Sequence, residues 1–296
     1  MEKLQIFIQL TRLNKPIGFL LLFWPCVWGL TLGFYFNNEI ELYIKYIILF
    51  FLGSVLMRSA GCIVNDIIDR KYDKKVERTK DRPLASGKVS VKLALFYTIF
   101  LCFFAFLVLI NFNIITIILA LVSMPLAFTY PLMKRFTYWP QLFLGVTFNW
   151  GVLLAFSAHS GTITLSAILL YMSGIFWTLF YDTIYAYQDT QDDALIGVKS
   201  TARLFGDNPR KWLSGFVVAS TSLCILAIIM VPRNFFFLEE MVVFVGAILF
   251  GLHLFYQLTK LNTQNSETCL QLFKSNKWSG LIMVSSLFFA ILYRHL

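Results

Sequence analysis

The chain has 296 residues, of which 58% are hydrophobic and 14% charged, with a net charge of +9 and a mean hydropathy of +0.71. Soluble domains carry about a quarter charged residues, so these values exclude a soluble protein and require an integral membrane protein with many spans. The three His and five Cys are scattered, which argues against a His-ligated metal, a C-x-x-C centre and a disulfide framework.

Glu2, Arg12 and Lys15 precede the first apolar run, which has no small-residue cleavage pattern. This predicts an uncleaved first span. Runs long enough to cross a bilayer lie at 16–36, 43–65, 91–110, 112–132, 138–158, 165–187, 212–232, 235–258 and 278–293. The fold class expected is all-α: a membrane bundle of nine transmembrane helices forming one domain over 1–296. Alternate connecting segments hold 21 of the 25 basic residues, including nine between Arg70 and Lys92, and the opposite side keeps Lys45, Arg233 and Arg294. The charge is therefore a topology signal that places the N-terminus in the cytoplasm and the C-terminus outside. It gives no reason to invoke nucleic acid. No transit-peptide pattern is visible, so the expected setting is the bacterial cytoplasmic (inner) membrane. The long loops, at about 66–90 and 188–211, predict cytoplasmic caps over a site on that side.

All nine Asp fall in two windows, 66–81 and 182–207. In the first, Asp66, Asp69 and Asp73 stand at i, i+3 and i+7, within an arc of roughly 60° on a helix, with Asn65 at its edge. Acids stacked on one face repel unless a cation lies among them. Oxygen-only ligands with this spacing predict Mg²⁺. In the second window Asp182, Asp189 and Asp193 share an arc of about 40° on a continuous helix, with Tyr185 nearby. The two windows share a D-x-x-x-D at a shift of 120, four spans apart. This predicts two four-helix pseudo-repeats plus a ninth helix, with the acidic faces meeting across a cavity. Arg58 lies on the same helix face as Asn65 and about 10 Å deeper, where a buried guanidinium needs a structural acid or an anionic ligand. Arg78, Lys80 and Arg82 follow the first window, Lys199 follows the second, and Lys134 and Arg135 cap the fourth span; beside a metal site such cations suit a diphosphate.

The Asn65–Asp73 stretch, the segment from Asp182 to Ala202, Lys15-Pro16-Ile17-Gly18, Arg58–Cys62 and Arg78–Leu84 together resemble the UbiA superfamily of intramembrane prenyltransferases, closest to its 4-hydroxybenzoate branch. The resemblance runs from about Arg12 to Gly206. It implies Mg²⁺-dependent transfer of a polyprenyl group from polyprenyl diphosphate to the ring carbon ortho to the hydroxyl of 4-hydroxybenzoate, early in ubiquinone biosynthesis. In that scheme Asn65, Asp66, Asp69, Asp73, Asp189 and Asp193 hold metal, and Asp182 or Asp189 accepts the ring proton. Arg78, Arg82 and Lys199 bind diphosphate. Arg58, Lys134, Arg135 and Tyr185 serve the aromatic acceptor, with the choice of carboxylate partner open between Arg58 and the Lys134/Arg135 pair. The expected partners are the two substrates and the lipid bilayer, with no obligatory protein partner evident. The competing readings are the same fold with a haem, naphthoate or chlorophyllide acceptor, and a cation-coupled transporter.

Overall fold

The computed structural model describes residues 2–231 and 237–295, without the side chains of Glu2, 237–240 and 292–295. Arg233 and the Arg294 side chain, two of the expected outer cations, lie outside the described residues. In chain order the helices are α1 (Glu2–Thr11), α2 (Ile17–Phe34), α3 (Ile40–Asp73), α4 (Val91–Leu109), α5 (Ile114–Thr129), α6 (Met133–Phe136), α7 (Pro140–Ser160), α8 (Leu165–Ala186), α9 (Thr190–Ile196), α10 (Thr201–Phe205), α11 (Arg210–Ile229), α12 (Phe237–Lys260) and α13 (Ser266–His295). Short 3₁₀ turns, Tyr130–Leu132 and Tyr187–Asp189, join α5 to α6 and α8 to α9. There is no strand among the described residues.

Eight helices among the described residues are long and apolar enough to cross a membrane. The ninth span, expected at 278–293, falls within α13. Glu267, Gln271, Lys274, Asn276 and Lys277 make the first half of α13 polar, which is why the whole helix is less apolar than the eight.

Local sequence sets the ends. Ser90, Asn113 and Ser200 cap α4, α5 and α10 by accepting from the backbone N–H three residues on. Pro140 opens α7, and Gly161 closes it at φ 71°. With its 34 residues, α3 is about 51 Å long against a hydrocarbon core of about 30 Å. It therefore projects beyond one membrane face, and its last turns carry Asn65 to Asp73. The expected loop at 66–90 thus begins only at Lys74.

The centre is aromatic and tightly packed. Trp28 of α2 lies 4.9 Å from Trp177 of α8, and both rings meet Phe250 of α12 edge-on at 5.6 and 5.9 Å. Their indole N–H groups are satisfied by Gly280 O (3.3 Å) and Asn276 Oδ1 (2.8 Å), both on α13, as buried indoles require. By contrast, α4 buries only Ala94, Thr98 and Leu101. Its exposed Phe96, Phe100, Phe103 and Phe106 suit contact with lipid. Where α2 meets α7, Gly29 lies against the Val152 backbone so closely that a Cβ would collide with the carbonyl. Small residues allow such close helix approach. Gly29→Val is expected to lower the thermal unfolding midpoint in detergent, because overpacking of this kind costs about 1–3 kcal/mol. Gly215→Ala, where no atom lies within 4 Å, is the matched control and keeps the midpoint.

Candidate active site

The first wall is the last two turns of α3. Asp66 and Asp69 are each 1% exposed and Asp73 is 7% exposed. A carboxylate taken out of water without a partner costs several kcal/mol, and each of these is met by cations from distant segments. Arg12 donates from Nη2 to both oxygens of Asp66, at 2.8 and 2.9 Å. Arg82 reaches Asp66 at 3.2 Å and Asp73 at 3.0 and 3.2 Å. Lys134 donates to Asp69 Oδ2. Arg135 stands 3.6 Å from Asp69 Oδ1, donates to Ile68 O at 2.9 Å and lies over the Tyr72 ring. The segment after α3 folds back because Thr79 donates to Asp73 O and Val76, Leu84 and Ala85 are buried, which aims Arg78 and Arg82 inward.

The second wall is built differently from expectation. A continuous helix through Asp193 was expected; α8 instead ends at Ala186, the chain makes a 3₁₀ turn, and Asp189 leaves helical geometry at φ −117°, ψ 9°. Tyr187 anchors this turn by donating to Gly206 O at 2.7 Å. The turn delivers Asp189 to Arg78, which donates from Nε at 2.8 Å and from Nη2 at 2.5 Å. Arg78 also donates to Tyr185 Oη at 3.2 Å and lies over that ring, which packs on Phe273 of α13 at 4.4 Å. Arg78 therefore ties the segment after α3 to Asp189 of the second wall.

Deeper in the bundle, Arg58 packs over the Phe148 ring at 5.3 Å. Gly18 leaves room for it; a Cβ there would stand 2.7 Å from the guanidinium Nε. That Nε is buried and has no hydrogen-bond partner. Cys62, Tyr130, Tyr181 and Tyr185 are its electrostatic neighbours, and Asp182 feels its charge. The Asp182 carboxylate makes no hydrogen bond or ion pair among the described residues.

The site residues expected from sequence divide accordingly. Asp66, Asp69, Asp73, Asp189, Arg78, Arg82, Lys134, Arg135 and Tyr185 are joined through these contacts. The Asp193 carboxylate has no hydrogen bond among the described residues, although its main-chain oxygen accepts from Val198 N and Arg203. Asn65 is half-buried and likewise free of hydrogen bonds among them. Lys199 does not face the acids: its ammonium donates to Phe136 O at 3.1 Å and lies over Tyr138. Two participants went unassigned in the sequence. Arg12 was counted as a topology charge; it sits at φ 60°, a backbone region uncommon for non-glycine residues, with its side chain committed to Asp66 and Gln9 O. The Lys15 ammonium is held below the ordinary lysine value by partial enclosure, and then by Arg12, Arg78, Arg82 and Lys274, so a cationic cluster rims the acids. The excess of buried acids was itself the signal that such cations must exist.

Among the described residues no three His, Cys, Asp or Glu converge tightly enough to form a ready metal cage, because cationic side chains stand between the carboxylates. The donor set still fits a hard divalent cation. It is all oxygen, and the buried Asp69 Oδ1 has no hydrogen-bond partner, Arg135 being too distant for one.

A multi-pass helical membrane protein with an acid–base cradle at one face and a buried arginine beneath it is the class that fold and site define. The model of the UbiA prenyltransferase family matches residues 22–294. A bovine (Bos taurus) protein named mitochondrial 4-hydroxybenzoate polyprenyltransferase is 46% identical over 281 residues, covering 95% of this chain and 74% of its own. A Lithospermum erythrorhizon protein named 4-hydroxybenzoate geranyltransferase 1 is 43% identical over 293 residues, 99% of this chain and 92% of its own. The chain belongs to the UbiA prenyltransferase family. The structure of a UbiA homolog from Archaeoglobus fulgidus bound to GPP and Mg²⁺ shares the fold, with a TM-score of 0.73 at 18% identity over 97% of this chain and 99% of that one.

Removing Arg12 leaves Asp66 with Arg82 alone, at 3.2 Å, so only part of the roughly 3–5 kcal/mol cost of breaking a buried ion pair is incurred. Arg12→Met is therefore expected to lower the unfolding midpoint, and adding Asp66→Asn to restore most of it. A double-mutant cycle on purified protein measures this coupling, expected at about 1–3 kcal/mol.

Proposed function

We propose that the chain transfers a polyprenyl group from polyprenyl diphosphate to the ring carbon of 4-hydroxybenzoate ortho to its hydroxyl. The observation that carries the reading is the pair Arg78–Asp189, which ties the segment after α3 to the second wall, with a cation on each buried carboxylate of α3. Such a surface offers an anion several guanidinium and ammonium groups and offers a metal several carboxylates at one place. Near-full-length identity to proteins named for this activity supports the same substrates.

Asn65, Asp66, Asp69, Asp73, Asp189 and Asp193 are the residues that would hold Mg²⁺, which when bound neutralises a departing diphosphate. Arg12, Lys15, Arg78 and Arg82 bind the diphosphate oxygens; Lys199 is placed to steady the loop at Phe136 rather than to reach them. The allylic C–O bond breaks with its electron pair leaving on the diphosphate. The phenol oxygen raises electron density at its ortho carbon, which forms the new C–C bond. Asp182, free of ion pairs, takes the ring proton as the ring regains aromaticity. Arg58 holds the benzoate carboxylate, since Lys134 and Arg135 are committed to Asp69 and Ile68 O. The apolar walls keep water from the allylic cation.

The protein is a multi-pass membrane protein. We place the site, with the N-terminus, on the cytoplasmic side of a bacterial membrane. The confinement of basic residues to alternate segments supports the side only; the bacterial setting is an expectation from sequence, and the relatives above include a mitochondrial protein.

Membranes containing the protein, given 4-hydroxybenzoate and a ladder of prenyl diphosphates, are expected to yield prenylated 4-hydroxybenzoate by mass; absence of product with every donor refutes the reading. Asp69→Ala and Asp189→Ala are each expected to abolish transfer with the protein still inserted, and excess EDTA to stop it. Because the Lys15 pKa is lowered, its charge is lost at a lower pH than that of free lysine. The rise in KM for prenyl diphosphate at alkaline pH should therefore come early, and Lys15→Arg should move it upward.

A further inference from the structure

Tyr181 ends a one-way hydrogen-bond relay that the chemistry above does not use. Asn149 of α7 donates from Nδ2 to Gly145 O and to Thr178 Oγ1, both at 2.8 Å. The Gly145 carbonyl can only accept, so it fixes the orientation of the amide. Thr178 of α8 spends its proton on Tyr181 Oη at 3.2 Å. Protons thus run from Asn149 to Tyr181, and the Tyr181 hydroxyl proton has no acceptor among the described residues. The side chain is 1% exposed, and its ring is locked edge-on against Trp177 at 5.2 Å and beside Phe273 at 5.8 Å. Leaving a buried donor unmet costs about 1–3 kcal/mol.

Arg58, an electrostatic neighbour of Tyr181, presents the matching deficit: a buried Nε with no partner. Two unspent donors, one cationic, on α3 and α8 call for a group that only accepts and carries negative charge. Asp182 bonds to neither. The diphosphate is drawn to Arg12, Lys15, Arg78 and Arg82 at the loop end, whereas Arg58 lies about 10 Å deeper along α3 than Asn65. We propose that Tyr181, primed by Thr178 and Asn149, donates to the carboxylate of the aromatic acid acceptor beside Arg58 and so selects acceptors bearing an acid group. The proposal rests on the acceptor reading above. A hydroxyl that already accepts a hydrogen bond is a stronger donor, which gives the relay its purpose.

The test compares 4-hydroxybenzoate with 4-hydroxybenzamide, the same ring without the charge, in membranes carrying wild type, Tyr181→Phe and Thr178→Val. Tyr181→Phe is expected to raise KM for the acid about tenfold, with kcat and KM for prenyl diphosphate within twofold, and to narrow the preference for acid over amide by a similar factor. Tenfold is about 1.4 kcal/mol, near the lower end for a hydrogen bond to a charged group. Thr178→Val, which leaves the phenol but removes its donor, is expected to raise the same KM about threefold and serves also if the first variant fails to insert. An unchanged KM for the acid in inserted Tyr181→Phe, or in Thr178→Val should the first fail, overturns the proposal, as does an equal loss on acid and amide. Wild type that transfers to neither acceptor instead refutes the acceptor reading, before any variant is compared.

Discussion

Three carboxylates buried on one helix face set the terms for everything around them. Each has left water, and none tolerates its neighbours without compensation. The compensation comes from before α2, from the segment after α3 and from α6, so the loops that look peripheral in sequence are bound to the site by charge. Asp189 draws Arg78 across from the opposite wall in the same way. The segment after α3 folds back on that helix because the acids need their cations. The apolar core beneath, keyed by Trp28, Trp177 and Phe250, gives those ion pairs a rigid floor.

The bundle was legible in the sequence because a span announces itself by length and hydropathy alone. Among the described residues eight of the expected runs fall on helices long and apolar enough to cross a membrane, and the ninth falls within α13, whose first half is polar. The acidic face of α3 was equally legible, since three Asp at helical spacing share a side on any regular helix. The break after Ala186 was not, because Asp189 and Asp193 satisfy helical spacing either way. What ends α8 is a contact between Tyr187 and Gly206, which periodicity does not encode. The pairings were invisible for a related reason. Arg12 meets Asp66 across 54 residues of chain, Lys134 meets Asp69 across 65, and Arg78 meets Asp189 across 111. Charge counts showed that cations were plentiful on that side but not which acid each would find, and Lys199 went to a carbonyl.

The charged groups fall into two sets at different depths. Near the membrane face the groups are charged and mutually paired, suited to ligands that carry many charges. A few turns down, Arg58, Tyr130, Tyr181 and Asp182 form a sparser set among aromatic walls, with donors and an acid left unspent, suited to a small ligand with one charged end.

The pairing of every buried acid with a basic side chain makes the resting cradle an internal salt. A metal arriving alone has to evict Arg12, Arg82 or Lys134 and leave them facing one another. An anion arriving alone strips the same cations from their acids and strands those. On the proposed reading, with both present the acids would hold the metal and the bases the anion, leaving no charge without a counterpart. On that reading the cradle would act as an ion exchanger, each ligand's affinity tied to the presence of the other by electroneutrality.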